Sequence, residues 1–321
     1  MLLDQPNIMD EYKKIPQAPT KTLLHLPVEL ILSIIEELPV DDETIIQTLF
    51  HIHPHIRNIL SQNERSLTKA FLKNNMRYAL VDLPCRKHEA PGFSYLVRCV
   101  RDYNAVDDAM LLLRAFTDAH NMGLVYTGLL LLCRFASLPS PADKRAWMAA
   151  LPRHPLMAMY LAIHTARHQL HCTGGLLRSH LGAADQRGRR IVAEAAFLEG
   201  CFEFGIAFIR DVLRGEKAAA AKVLEASPQV AGAGVVLVLD QEHDTHRGIL
   251  PPDMQALRNA TAADSLMLAL HDRLEEVLGG APPGWRVYDQ VMNDVDDPRH
   301  DLSRLNRWDT DRLMEGKNVS D

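Results

Sequence analysis

Apolar residues recur at helical spacing near the start of the chain. Leucine or isoleucine occupies every fourth position of the stripe Leu26, Leu30, Ile34 and Leu38, and Leu23, Leu24, Ile31 and Ile35 widen it. This spacing predicts an amphipathic helix. Pro27 suits the first turn of that helix, where a missing N–H costs no hydrogen bond. Pro39 is expected to end it.

Two further helices are predicted in the next thirty-odd residues. One starts at Asp41 or Asp42, because either carboxylate can accept hydrogen bonds from the free N–H groups of a first helical turn. The next starts at Pro54, a residue that favours the first helical position, and continues to Phe71. Residues 21–75 are therefore expected to form a three-helix module.

The remaining chain is organised by its prolines and glycines. Residues 1–20 have little periodicity and are expected to be a disordered tail. Residues 76–92, with Pro84, Pro91 and Gly92, predict a linker, and residues 93–280 predict a larger, irregular helical body. Few segments alternate like strands and only 6% of residues are aromatic, so we expect an all-α fold.

Residues 281–321 are expected to form a C-terminal arm with a terminal helix. The Asp297-Pro298 pair fits a turn that starts this helix. Its apolar residues are predicted to share one side, at Leu302, Leu305, Trp308 and Leu313.

Composition narrows the functional classes. The 321 residues suffice for about two domains. With 35 Lys+Arg against 41 Asp+Glu the net charge is -6, which disfavours nucleic acid as a partner because phosphate backbones need a basic surface. The five cysteines are widely spaced and odd in number, which is typical of reduced intracellular thiols. We expect a cytoplasmic or nuclear location, because no secretory signal or membrane-spanning stretch is seen.

Catalytic motifs are scarce. The sequence contains no G-x-S-x-G elbow, no H-E-x-x-H motif and no G-x-x-x-x-G-K-[ST] phosphate loop. His164, His168 and His171 would lie on one face of a helix, where two histidines four residues apart can share a metal ion. No acidic ligand accompanies them at a metalloenzyme spacing, so a polar helix face, solvated or bonded to nearby side chains, is the simpler explanation. No cofactor is expected.

The opening of the first predicted helix resembles the F-box. The matching residues are Leu26, Pro27, Glu29, Leu30, Ile34 and Leu38. Asp41 or Asp42 matches the acidic position before the second helix of that family. The resemblance covers about residues 22–65, and the sequence departs from the family pattern at Pro54 and Ile56. A terminal F-box before an unclassified helical remainder is similar to F-box-like proteins of filamentous fungi.

This resemblance implies a non-catalytic substrate-recognition adaptor. F-box proteins dock to the Skp-type linker protein of a cullin–RING ubiquitin ligase, and the rest of the chain would hold an unknown protein substrate. Apolar anchors at helical spacing suit a helix-in-groove contact. The partner-binding residues implied are Leu26, Pro27, Glu29, Leu30, Ile34, Leu38, Ile45, Ile46, Leu49 and Ile56.

The residues alone leave two alternatives open. The chain can be a helical interaction scaffold unrelated to ubiquitin, in which the N-terminal apolar stripe packs on residues 93–280 as internal core. It can also be a metal-dependent enzyme that uses the histidine-rich helix. The direction in which the stripe faces separates the adaptor from the scaffold, because an adaptor must leave apolar surface for a partner.

Overall fold

The computed structural model describes residues 23–85, 90–115, 117, 121–173, 186–219, 221–222, 265–279, 287–299 and 301–319. Every regular element in these ranges is a helix, which confirms the predicted all-α fold. The predicted tail, residues 1–20, lies outside the described ranges. Among the helices of the described ranges, none combines the length and the apolar composition that a bilayer crossing requires.

The helices are numbered here in chain order. The N-terminal helices are α1 (Val28–Glu36), α2 (Glu43–Ile52), α3 (Pro54–Gln62), α4 (Glu64–Asn75) and α5 (Ala79–Asp82). The helices of the body are α6 (Phe93–Leu113), α7 (Met122–Ala136), α8 (Pro141–Ala150), α9 (Arg153–Thr173), α10 (Gln186–Phe204) and α11 (Ile206–Arg214). The last helices described are α12 (Leu266–Val277), α13 (Val287–Val295) and α14 (Arg307–Met314). Short 3-10 turns occupy Leu23–His25 and Leu302–Arg304.

Capping side chains set the boundaries of the N-terminal helices. The Asp42 carboxylate accepts a hydrogen bond of 2.8 Å from the Thr44 N–H, which confirms the predicted start of α2. The imidazole Nδ1 of His53 accepts one of 3.1 Å from the His55 N–H at the start of α3. The predicted continuous third helix is wrong, because the chain turns at Asn63. The backbone N–H and side-chain amide of that residue both donate to carbonyls in the last turn of α3, and α4 begins after it.

The N-terminal helices and the body share one hydrophobic core. Helices α2 and α4 pack against α6. The rings of Phe50 and Phe93 meet edge to face with centroids 5.6 Å apart, and the Phe93 N–H donates to the Glu64 carboxylate at 2.8 Å. Helix α5 falls within the predicted linker, where Asp82 and Leu83 are buried. The N-terminal helices therefore contact the body directly, along the first half of α6.

The centre of the body is the crossing of α7 and α9. Gly128 on α7 faces the backbone of α9 so closely that a Cβ there would overlap the carbonyl oxygen of Ala158. The same Cβ would lie 2.9 Å from the Cβ of Ala162. The absence of a side chain at this position therefore sets how near the two helices come.

The last helix starts later than the sequence predicts. It begins at Arg307, and not after Asp297-Pro298, because Asn306 and Asp309 form a reciprocal capping box with two hydrogen bonds of 3.1 Å.

The apolar residues of the arm do not share one side as predicted. Leu302 and Leu313 are buried and Leu305 is half-buried, whereas 70% of Trp308 is exposed. Helix α14 packs against α5, α7 and α9. The end of the chain is thus joined to both the N-terminal helices and the body.

Candidate partner-binding face

Helix α1 carries apolar side chains on two neighbouring sides, one buried and one exposed. Ile31 and Ile35 point inward and are 0% and 3% exposed. Leu30 and Ile34, one position earlier in each case, point outward and are 52% and 44% exposed. The inward face packs against α4. The outward face keeps a leucine and an isoleucine in water.

The exposed apolar surface continues along the helix. Pro27, Leu30 and Ile34 follow one another at spacings that place them on one side, and Pro27 is exposed as well. We call these three residues the outer face of α1. Leu26 and Leu38 lie half-buried at its two ends. Glu29, also implied as a contact by the resemblance, is exposed beside it.

The other implied contacts are placed differently. Ile46, Leu49 and Ile56 are only 4%, 8% and 2% exposed, so in this structure their side chains are not open to a partner. Ile45 is half-buried. These residues support the outer face indirectly, because they belong to the core that holds the N-terminal helices together.

The candidate metal ligands on α9 have other neighbours. The ring of His164 stacks on Tyr288, with centroids 4.2 Å apart. His168 is exposed, and its Nδ1 lies 3.7 Å from the sulfur of Cys172. The side chain of His171 lies outside what the structure describes. No joint site of the three histidines is therefore shown.

A different group of possible ligands lies on α12. In the described part of the chain, His271, Asp272 and Glu275 are the one set of three ligand-type side chains close enough to share an ion. The Nδ1 of His271 is 3.5 Å from the Glu275 carboxylate, one turn away. Such a pairing is typical of a helix surface and does not require a metal.

A buried ion pair joins α5 to α14, and the sequence pattern did not predict it. Asp82 is 1% exposed and accepts hydrogen bonds of 2.6 Å from the Tyr103 hydroxyl and of 2.6 and 3.2 Å from the Arg307 guanidinium. Burial and the Asp82 carboxylate hold the pKa of Tyr103 well above its usual range. The Arg307 guanidinium also lies 3.8 Å over the ring of Tyr78. These groups line a cleft of about 690 Å³, here called the junction cleft.

Comparisons with known proteins add no relative. A scan against family models, a search of curated proteins and a search of solved structures each return no match. The fold and the site thus define the chain as an all-α protein with an exposed apolar helix face. What that face binds has to be inferred from its own residues.

Proposed function

We propose that this protein is a non-catalytic substrate-recognition adaptor that docks to the Skp-type linker of a cullin–RING ubiquitin ligase. The outer face of α1 makes the contact. The observation that supports this proposal is the exposure of Leu30 and Ile34, 52% and 44%, on a helix whose adjacent side is buried. Contiguous apolar surface of this kind suits insertion into a groove on another protein.

The exposed residues are also those that resemble the F-box. Single exposed apolar side chains are normal on protein surfaces, so neither Leu30 nor Ile34 alone would point to a partner. Here the two lie one turn apart and adjoin Pro27, and all three match the family pattern. The resemblance and the exposure are separate observations on the same three positions.

The scaffold alternative explains less of α1. A helix whose apolar stripe served only as internal core would bury Leu30 and Ile34 together with Ile31 and Ile35. Only the second pair is buried. The adaptor proposal uses both pairs, one to hold the helix in place and the other to bind. A cytoplasmic or nuclear location follows for a ligase subunit.

Co-purification with the Skp-type linker tests the proposal. The full chain and the linker are co-expressed, and the retained fraction is measured for the wild type, for Leu30→Lys with Ile34→Lys, and for Leu80→Lys. Leu80, on α5, is a matched control because it is also leucine and also 52% exposed.

We expect the wild type and the Leu80 variant to retain the linker and the double variant to lose it. Circular dichroism melting should be unchanged in all three, because the substituted side chains face water. Absence of linker binding by the wild type, or equal binding by a folded double variant, would overturn the proposal.

A further inference from the structure

Helix α6 presents a short stripe of three exposed side chains. Asp107, Leu111 and Arg114 are all exposed, and their spacing of four and three residues places them on one side of the helix. Leu111 is 70% exposed. The stripe is about 10 Å long, since seven residues rise 1.5 Å each. It places an acid at one end, an apolar side chain in the middle and a base at the other end.

The stripe borders a groove between α6 and the start of α7. The groove has a volume of about 730 Å³ and is lined by Met110, Leu111, Met122 and Tyr126 among others. This volume lies within the usual range of binding pockets. Gly123 also belongs to the lining. A single large apolar side chain from outside can therefore be accommodated beside Leu111.

The two charges of the stripe have no partner within the described ranges. The adjacent Asp108 is paired with Arg214 at 2.8 Å, whereas among the described residues no base is paired with Asp107. Partial desolvation of its carboxyl group and the nearby Asp108 charge raise the pKa of Asp107, and no cation opposes that shift. A positive group brought to Asp107 would therefore find an acid that none of the described cations pairs with.

Two copies of this stripe are complementary when they lie antiparallel, because the acid of one then meets the base of the other. When two α6 helices lie antiparallel about a two-fold axis that passes between Met110 and Leu111, Asp107 of each faces Arg114 of the other. Leu111 then faces the Met110 and Leu111 side of the second helix and its open groove. This is an isologous contact, in which the same patch serves both subunits.

We propose that a second copy of this chain occupies the groove, through antiparallel pairing of the α6 stripes. The contact of one helix per subunit is smaller than the ~800 Å² per partner of a standard interface. We therefore expect a reversible dimer whose population rises with protein concentration. This proposal does not depend on the linker contact, because it uses residues of α6 and α7 only.

Sedimentation velocity of the full chain over a range of concentrations tests the proposal through charge reversal. Asp107→Arg alone and Arg114→Asp alone each place like charges in both symmetrical contacts, and each should weaken dimerisation about tenfold. The double variant restores opposite charges and should return the dimer to nearly the wild-type affinity. Leu111→Glu should weaken it at least as much as either single reversal.

Control variants on other surfaces test whether the dimer interface lies on α6. Leu80→Lys and the pair Leu30→Lys with Ile34→Lys should leave the dimer unchanged. A wild type that stays monomeric throughout, a dimer insensitive to the α6 variants, or single reversals that the double variant does not rescue would each overturn the proposal. A dimer lost with the α1 pair would assign the contact to the outer face of α1 instead, and would overturn it equally.

Discussion

Two glycines on α7 should respond differently to substitution by alanine. Gly128 lies at the crossing with α9, where an added Cβ would overlap the Ala158 carbonyl oxygen. Gly123 lies near the start of α7, where an added Cβ would be 3.5 Å from the Cβ of Leu305, an ordinary contact. Alanine at either position adds one methyl group to one helix. The two variants therefore differ chiefly in what that methyl group meets.

The expected magnitudes follow from these surroundings. Replacing glycine by alanine in a helix interior gains up to about 1 kcal/mol of intrinsic helix stability. At Gly128 this gain is opposed by overpacking, which costs about 1–3 kcal/mol in a close-packed core and lies at the upper end here, because the obstacle is backbone. We expect Gly128→Ala to lose about 2 kcal/mol and Gly123→Ala to lose nothing or gain up to about 1 kcal/mol.

Equilibrium unfolding in urea measures both values. The difference of about 2–3 kcal/mol between the variants corresponds to a difference of roughly 4 °C or more in melting temperature for a domain of this size. Circular dichroism at 222 nm follows the transition. A Gly128→Ala protein at least as stable as Gly123→Ala would refute the close approach of α7 and α9.

Two further predictions concern the groups around the junction cleft. Asp82→Asn should lower the free energy of unfolding by about 2 kcal/mol in the same urea assay, because Arg307 loses its buried carboxylate partner and keeps only Asp311. An unchanged stability would contradict the ion pair. Burial raises the pKa of Tyr126 from 10.0 to about 12, so its neutral hydroxyl favours the folded state below pH 10 and that contribution is lost as the pH rises through 12. Tyr126→Phe should therefore lose less stability than the wild type between pH 10 and 12, and equal losses would show that Tyr126 does not carry this dependence.

Local chemistry made the starts of several elements predictable. Asp42 lies just before a run of apolar residues at helical spacing, and its carboxylate can accept a hydrogen bond from a first-turn N–H. The start of α2 could therefore be predicted from neighbouring residues. The break at Asn63 was missed because Leu60 and Leu67 continue the apolar period across it. The side-chain amide of an asparagine can hydrogen-bond to a carbonyl in the last turn of a helix and so end it. The spacing of the neighbouring apolar residues does not reveal such a bond.

Contacts between residues far apart in the sequence could not be predicted from the spacing of apolar residues. Leu30 and Ile31 are both apolar, and periodicity shows only that they belong to different sides of α1; which side is buried depends on where α4 lies. Asp82 bonds to Arg307, which is 225 positions away. The one local signal was an acid inside the run Ala79 to Leu83, since a charge within an apolar run has to be paired if the run is buried.

The two proposed surfaces occupy different parts of the molecule and can be used together. The N-terminal helices contact α6 through Phe93 and Asn104, which precede the stripe that starts at Asp107. Pro27, Leu30 and Ile34 do not line the α6 groove, so a dimer formed through α6 uses none of the side chains of the outer face of α1. Such an assembly would hold two linkers and bind a linker-bearing surface bivalently, so its apparent affinity would exceed that of either site. Asp107→Arg would then reduce avidity for immobilised linker while leaving the affinity for linker in solution unchanged.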